Sequence, residues 1–171
     1  MQVGIFLFII KYIFGKGEEV YTMKYLIAYY SWSGHTKMTA ERIARVTGGN
    51  LFEIVPTEPY PRLYARCAIA AKAERDKNAR PALIGTVENF DDYTDVIIGY
   101  PAWWHTCPMI ILSFLEQYDF TGKRVHLFNT HMGSHSVGTE LIREHCKGEV
   151  IESKDANELK QESQIKAWLG L

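Results

Sequence analysis

Three hydroxyl side chains and a glycine lie within six residues, in the segment Ser31-Trp-Ser-Gly-His-Thr36. An apolar run precedes the segment, and small and apolar residues at helical spacing follow it, so the segment is expected to open a helix. Backbone N–H groups at a helix N-terminus favour an anion, and the hydroxyls of Ser31, Ser33 and Thr36 add donors. Gly34 permits a tight turn. The segment predicts a phosphate site, although a hydroxyl that caps an ordinary helix gives the same pattern.

The chemistry of this first loop differs from that of two common nucleotide loops. It contains neither the G-x-x-x-x-G-K-[ST] pattern of Walker loops nor the G-x-G-x-x-G pattern of dinucleotide sites. It also contains no Lys or Arg, so it is expected to hold phosphate through neutral donors only. The loop thus predicts a bound phosphate without predicting a nucleotide triphosphate.

Aromatic and polar residues are concentrated in two further loops. The segment Gly99-Tyr-Pro-Ala-Trp-Trp-His105 follows a buried apolar run, and Trp103 or Trp104 could stack on a flat ring system. The alternative is that both tryptophans belong to the core or to an interface. The third loop runs Thr130-His-Met-Gly-Ser-His-Ser-Val-Gly138 and offers polar main-chain groups.

The elements that must position these loops alternate along the chain. Apolar runs predict strands at 25–30, 51–55, 95–100, 124–129 and 149–152, and helical spacing predicts helices at 36–46, 64–77, 108–118, 137–146 and 157–169. Gly48 and Gly49 are expected to end the first helix and Asn157 to cap the last. Such alternation is typical of a parallel sheet covered by helices on both faces. Ligands bind such sheets at the carboxyl ends of the strands, which is where the three loops lie.

The three loops together resemble those of the flavodoxin family. The first loop matches the FMN-phosphate signature at Tyr29, Ser31, Gly34, Thr36, Ala40 and Ile43, whereas Ala28 is smaller than the usual residue. The second resembles the G-x-P-x-W-W/Y loop of small bacterial flavodoxin-like proteins. The third resembles their T-x-G-G-S segment, with Met132 where glycine is common. The resemblance covers residues 23–171.

This resemblance implies an α/β fold, namely a flavodoxin-like three-layer α-β-α sandwich around a five-stranded parallel sheet of order 2-1-3-4-5. It also implies FMN as the cofactor and no metal. The residues expected to contact FMN are Ser31, Trp32, Ser33, Gly34, His35, Thr36, Pro101, Ala102, Trp103, Trp104, His105, Thr130, His131, Met132, Gly133 and Ser134.

Four of the six histidines fall in these loops, at positions 35, 105, 131 and 135. A metal site is disfavoured because no H-x-E pattern occurs, and exposed loop histidines are the plain alternative. We hypothesise that His105 or His131 lies near the flavin and, when protonated, stabilises the negative charge of the reduced cofactor.

Composition narrows the class of partner and the cellular setting. The chain has 171 residues and a net charge of −1, which disfavours nucleic acid as a partner and gives no strongly acidic docking surface. Its three cysteines form no C-x-x-C pair and indicate a reducing, cytoplasmic setting. Cys107 is either a reactive thiol at a helix start or a small apolar filler.

The first 22 residues form an apolar extension of uncertain structure, and the domain is expected to span 23–171. The apolar run in the extension is shorter than a membrane span needs, and it lacks the charge order and cleavage site of a signal peptide. A surface strand or helix and a membrane-surface anchor remain as alternatives, so a membrane partner is not favoured.

The leading function is therefore FMN-dependent electron transfer. One version is a carrier that docks to redox partner proteins. The other is an NAD(P)H-dependent reductase of quinone-like small molecules, which the near-neutral charge and the Trp- and His-rich loops favour slightly; by analogy it would be a homodimer. The alternative is a flavin-free interaction or regulatory module. A receiver module is disfavoured because Tyr30 and Ser31 stand where acidic residues would be needed.

Overall fold

A computed structural model describes residues 23–131, 133 and 138–171, so the predicted extension at 1–22 lies outside the described residues. The central sheet contains strands β1 (Tyr25–Tyr29), β2 (Asn50–Glu53), β5 (Asp95–Pro101), β6 (Arg124–Thr130) and β7 (Glu149–Asp155). All of its pairs are parallel, in the order β2-β1-β5-β6-β7. Numbered within the sheet alone, this order is 2-1-3-4-5, and the prediction is confirmed.

Helices and a short second sheet complete the described elements. The helices are α1 (His35–Thr47), α2 (Tyr64–Asp76), α3 (Met109–Gln117), α4 (Thr139–His145) and α5 (Glu162–Leu169). The second sheet pairs β3 (Val55–Pro56) with β4 (Leu83–Ile84) in antiparallel fashion.

The core lies in two layers, one on each face of the central sheet. Alternation within β1 shows how they separate: Leu26 and Ala28 belong to one cluster, with the buried face of α3, whereas Ile27 belongs to the other, with α1 and α5. Because both faces of the inner strands are covered, β1, β5 and β6 are buried along almost their whole length, and β1 and most of β5 are continuous apolar runs. This arrangement is the three-layer sandwich that the sequence predicts.

Gly99 occupies a position in β5 that only glycine can fill without displacement of its neighbours. A Cβ atom built on Gly99 would lie 2.1 Å from Cζ and 2.5 Å from Cε1 of Phe128. Phe128 is fully buried and lies opposite Gly99 in the register of β5 and β6. The first glycine of the G-x-P-x-W-W motif therefore serves the packing of β5 against β6.

Three elements differ clearly from their predicted bounds, and one of them is the strand predicted at 149–152, which runs on to Asp155 as β7. The strand predicted at 51–55 ends at Glu53, and Val55 and Pro56 pair instead with β4, an edge arrangement that tolerates proline. The helix predicted at 157–169 is a single 3-10 turn (Ala156–Glu158) followed by α5.

Asn157 is therefore not the cap of the last helix, and that prediction was wrong. The Asp155 carboxylate accepts the Asn157 N–H at 2.8 Å and caps the 3-10 turn. The helix proper begins only after Gln161, whose backbone N–H and side chain form a capping box with Gln164.

None of the helices among the described residues is both long enough and apolar enough to cross a membrane.

Candidate functional site

A cavity of about 770 Å³ opens at the carboxyl ends of the central strands. Its size falls in the range of small-molecule and cofactor sites, about 300–1,000 Å³. The predicted site residues that line it are Trp32, Ser33, His35, Pro101, Ala102, Trp103, Trp104, His105, Thr130 and His131. Three separate segments of the chain thus meet in one cavity, as the topology predicts.

The other predicted residues are placed differently. Ser31, Gly34 and Thr36 belong to the first loop but are not among the residues that line the cavity, and the Ser31 and Thr36 hydroxyls form hydrogen bonds within the protein. Gly133 follows His131 and is exposed. Met132, Ser134 and His135 lie outside the described residues.

The Ser31 hydroxyl organises the start of α1. Its oxygen accepts the backbone N–H groups of Gly34 and Lys37 at 3.1 and 3.2 Å, while Gly34 takes the N-cap position with φ of 91°. The amides of His35 and Thr36 belong to the first turn, where no helical carbonyl can reach them. These two amides and the Ser33 hydroxyl are the donors that the loop can present to an anion.

Thr36 joins the first loop to the third. Its hydroxyl lies 2.9 Å from the hydroxyl of Thr130 at the end of β6, and Thr36 is only 2% exposed. Either hydroxyl can donate in this contact, which leaves the other free to donate elsewhere. The pair therefore connects the start of α1 to the end of β6 and offers one further polar hydrogen.

The second loop ends in a strained two-residue turn. Trp103 and Thr106 exchange backbone hydrogen bonds of 2.9 and 3.0 Å, and the two residues between them, Trp104 and His105, have φ of 52° and 62°. Turns with two left-handed residues normally use Asn-Gly or similar pairs. Side chains other than glycine cost about 1–2 kcal/mol each in this conformation, and such strain is typical of functional loops.

Replacing His105 by glycine should therefore stabilise the cofactor-free protein by about 1 kcal/mol, because glycine relieves the left-handed strain at some entropic cost. Urea unfolding of both proteins measures the difference. The matched control is Lys77→Gly at an exposed residue with φ of −92°, which should be destabilising. An H105G protein no more stable than the parent would mean that the turn carries no relievable strain.

The two adjacent tryptophans have different surroundings. Trp103 packs edge-on against Tyr30 and Tyr60, with ring centroids 5.5 and 5.0 Å away, so it belongs partly to the core. Trp104 is 43% exposed. Its indole N–H donates to the Ala68 carbonyl at 2.9 Å, and the Arg75 guanidinium lies 5.8 Å from the ring centre. Trp104 is thus held against α2 at the cavity wall and is the better placed of the two to stack on a ligand.

His131 is held in one orientation by two hydrogen bonds. Its Nε2 lies 2.5 Å from an Asp155 carboxylate oxygen, and its Nδ1 accepts the Gly133 N–H at 3.0 Å. Burial raises the pKa of Asp155, but hydrogen bonds from the Asn157 amide and from His131 outweigh burial and hold that pKa below its ordinary value. The carboxylate is therefore charged at neutral pH, and the neutral imidazole carries its proton on Nε2.

Cys107 is buried, with 1% of its surface exposed, and burial raises the pKa of its thiol to about 12. Of the two roles considered for this residue, the structure supports the apolar filler. The thiol should stay protonated up to pH 9, so iodoacetamide should not modify Cys107 in the native protein but should do so in urea. Peptide mass spectrometry with half-buried Cys146 as the internal comparison tests this, and modification of native Cys107 would contradict it.

Two helices contribute walls of the cavity that were not predicted from the sequence. One face of α1 and one face of α2 border the cavity, together with the segment after β7; the additional lining residues are Met38, Thr39, Arg42, Tyr64, Cys67, Ala68, Ala71, Asp155, Ala156, Asn157 and Lys160. The helical members recur every three to four residues, a spacing that could have marked a shared face.

The chain's own donors fit FMN. The first loop suits a phosphate, because it offers first-turn amides and hydroxyls and contains no carboxylate. The apolar wall that α2 forms with Trp104 suits a flat ring. Fixed polar groups at Thr130 and His131 border the same cavity.

Comparisons with known proteins agree with this geometry. The family model described as Flavodoxin matches residues 24–170. A protein from Bacteroides eggerthii described as a flavoprotein is 31% identical, over 87% of this chain and 97% of that chain, with a TM-score of 0.79. Another from Bacteroides uniformis is 28% identical, over 87% and 99%, with a TM-score of 0.72.

A third structure is a flavoprotein from Lactobacillus acidophilus in complex with FMN, which is 24% identical over 86% of this chain and 99% of that chain, with a TM-score of 0.74. At that identity the likeness shows the fold. No curated protein matches the chain significantly. From the family match and the 31% identical relative, the chain belongs to the flavodoxin family of FMN-binding redox proteins, which confirms both the family and the cofactor expected from its sequence.

Proposed function

We propose that the chain is an FMN-dependent reductase that takes electrons from NAD(P)H and passes them to a quinone-like small molecule. FMN, when bound, supplies the hydride and electron chemistry, and the protein supplies binding, orientation and electrostatics. The FMN complex of the Lactobacillus acidophilus relative supports the choice of cofactor.

The observation that carries the proposal is the extent of the cavity. It reaches from the first turn of α1 to the wall of α2 on one side, and along α1 to Arg42 and Lys160 on the other. A carrier needs only an exposed cofactor edge, whereas a reductase needs room for a second small molecule beside the cofactor. A net charge of −1 also lacks the acidic excess that would steer a carrier to basic partners.

In this proposal each loop has a separate task. The His35 and Thr36 amides and the Ser33 hydroxyl hold the phosphate. Trp104 lies against the flat ring, and the backbone of Ala102 to His105 lies along its edge. Polar groups of the segment from Thr130 to Gly133 bind the opposite, hydrogen-bonding edge of the ring.

The test begins with FMN itself. The purified protein, incubated with FMN and freed of excess by gel filtration, should retain about one FMN per chain by absorbance. It should then oxidise NADH or NADPH many times faster with a simple benzoquinone than without it, and the protein without FMN should not. An FMN-loaded protein that oxidises neither nucleotide in the presence of the quinone would exclude the reductase. A protein that takes up no FMN would exclude both redox functions and would support the flavin-free interaction or regulatory module.

A carrier is the second candidate, because apolar side chains are exposed beside the cavity. Leu63, Tyr64 and Ile69 on or next to α2 are 61%, 63% and 70% exposed, which suits a surface for docking to a redox partner protein. A carrier would retain FMN but would take electrons from a separate reductase and not from NAD(P)H, so the same nucleotide assay separates the two roles.

The setting and the oligomeric state are part of the proposal. All three cysteines are free thiols, which fits a cytoplasmic protein. The exposed apolar residues of α2 also suit the homodimer expected by analogy, and sedimentation equilibrium of the FMN-loaded protein tests it.

A further inference from the structure

The cavity extends away from the predicted FMN loops along one face of α1. Four residues on this face border the cavity and recur at helical spacing: His35, Met38, Thr39 and Arg42. Opposite this face lies the segment between β7 and α5, which contributes Asn157 and Lys160. We call this part of the cavity, bounded by Thr39, Arg42, Asn157 and Lys160, the basic arm.

Arg42 is fixed at the end of the basic arm. One guanidinium nitrogen, Nη1, donates to the Leu159 carbonyl at 3.0 Å, which ties α1 to the segment that carries Lys160. A guanidinium has five N–H donors, so this contact leaves most of them for a ligand. In the part of the chain that the structure describes, neither Arg42 nor Lys160 forms an ion pair.

The acidic groups near the basic arm are already engaged. Asp155 accepts from His131 and from the Asn157 amide. Glu158 accepts the Asp155 amide and lies 3.8 Å from Lys154. The two cations therefore face the cavity without a carboxylate of their own, which favours an anion from solution.

Arg42 and the first turn of α1 lie at different places along the same wall. Arg42 lies seven residues after His35, which is about 10 Å along the helix axis at 1.5 Å per residue. The Arg42 guanidinium is held at the Leu159 carbonyl, on the side of Lys160, while the ring of an FMN whose phosphate lies on the first turn would extend toward Trp104. The basic arm is therefore suited to a second anionic group.

We propose that the basic arm binds the diphosphate of a reduced nicotinamide dinucleotide, so that Arg42 and Lys160 determine the affinity for the electron donor. The inference rests on the proposed reductase function, because only that function brings a second phosphate-bearing molecule to the site. It assigns to Arg42 and Lys160 a role in binding the donor and none in holding FMN.

The first test uses inorganic pyrophosphate as the probe and the FMN-loaded protein, in which the first loop is filled. Calorimetric titration should show one pyrophosphate site, weakened about tenfold by Lys160→Ala, a change equal to roughly 1.4 kcal/mol. Arg42→Gln should weaken it similarly. The matched control is Lys166→Ala on α5, whose amine pairs with Glu162 and does not border the cavity; it should leave pyrophosphate binding unchanged.

The second test is kinetic. Lys160→Ala should raise KM for the nicotinamide nucleotide about tenfold while kcat, KM for the quinone and the Kd of FMN stay within twofold. Absence of pyrophosphate binding to the FMN-loaded parent protein would overturn the inference. So would a Lys160→Ala protein with weakened FMN binding, because the arm would then belong to the cofactor. A third outcome separates the two proposals. If Lys160→Ala weakens pyrophosphate binding but the parent protein oxidises neither nucleotide, the anion site stands, whereas the reductase function and the assignment of the donor to this site are both overturned.

Discussion

Thr36→Val should raise the Kd of FMN about 10- to 100-fold, because it removes the polar hydrogen that the Thr36–Thr130 hydroxyl pair offers to the phosphate, and a hydrogen bond to a charged group contributes about 1.5–3 kcal/mol. The substitution keeps the volume of the side chain but removes the Thr36 hydroxyl, whose oxygen lies 2.9 Å from the hydroxyl oxygen of Thr130. Fluorescence titration of FMN into the cofactor-free protein measures the effect. The loss should be nearly absent for riboflavin, which lacks the phosphate.

Thr47→Val is the matched control, because Thr47 lies at the other end of the same helix. Its hydroxyl donates to the Ile43 carbonyl and accepts the Gly49 amide, both far from the cavity. Unchanged FMN affinity in Thr36→Val, with Thr47→Val also unchanged, would contradict a phosphate at the first turn of α1. Equal losses for FMN and riboflavin would place the Thr36 contact on the ring or the ribityl chain.

Gly99→Ala should lower the free energy of unfolding by about 3 kcal/mol or more, at the upper end of the usual cost of overpacking a core. The new Cβ would meet the Phe128 ring at 2.1 Å, and neither β5 nor β6 can move aside inside a sheet that is covered on both faces. Urea unfolding followed by circular dichroism measures the loss.

Phe128→Leu provides the test of mechanism, because it removes the ring that Gly99→Ala would strike. The double variant should be clearly more stable than the sum of the two single losses predicts, since the residues are in contact. Strict additivity would mean that the damage from Gly99→Ala has another origin, such as backbone conformation. A Gly99→Ala protein as stable as the parent would contradict the packing role of the motif's glycine.

The strand order and most of the elements could be predicted because their signals are local. β1 and most of β5 are continuous apolar runs, and Gly48 ends α1 in the left-handed conformation that the sequence suggests. Loops at the carboxyl ends of adjacent parallel strands must meet, so the cavity at Ser33, Trp104 and His131 follows from the topology alone.

The unpredicted features depend on partners that are distant in the chain. Val55 and Pro56 join a second sheet only because residues 83–84 lie beside them. Trp103 and Trp104 are the same residue type, and only their packing against Tyr30 or α2 separates core from cavity wall. The left-handed turn carries neither Gly nor Asn, so the usual sequence signal for such a turn is missing.

The histidine hypothesis is sharpened by one contact that no spacing reveals. His131 meets Asp155, which follows it by 24 positions and ends the neighbouring strand. Of the two histidines proposed to lie near the flavin, His131 is oriented by two hydrogen bonds, from its Nε2 to Asp155 and from the Gly133 N–H to its Nδ1, whereas exposed His105 lies in the strained turn. The charge-stabilising histidine stays a prediction, and His131 is the residue that the structure holds in one orientation at the cavity.

The sheet order also has a consequence for how the chain folds. β1, α1 and β2 are consecutive, as are β5, α3 and β6, but β1 pairs with β5 only after a long loop has closed, with Tyr25 opposite Asp95. The first loop belongs to one of these units and Thr130 to the other. FMN contacts that span Thr36 and Thr130 can form only after the two units have docked. The cofactor should consequently slow unfolding of the finished domain while leaving the rate of folding almost unchanged.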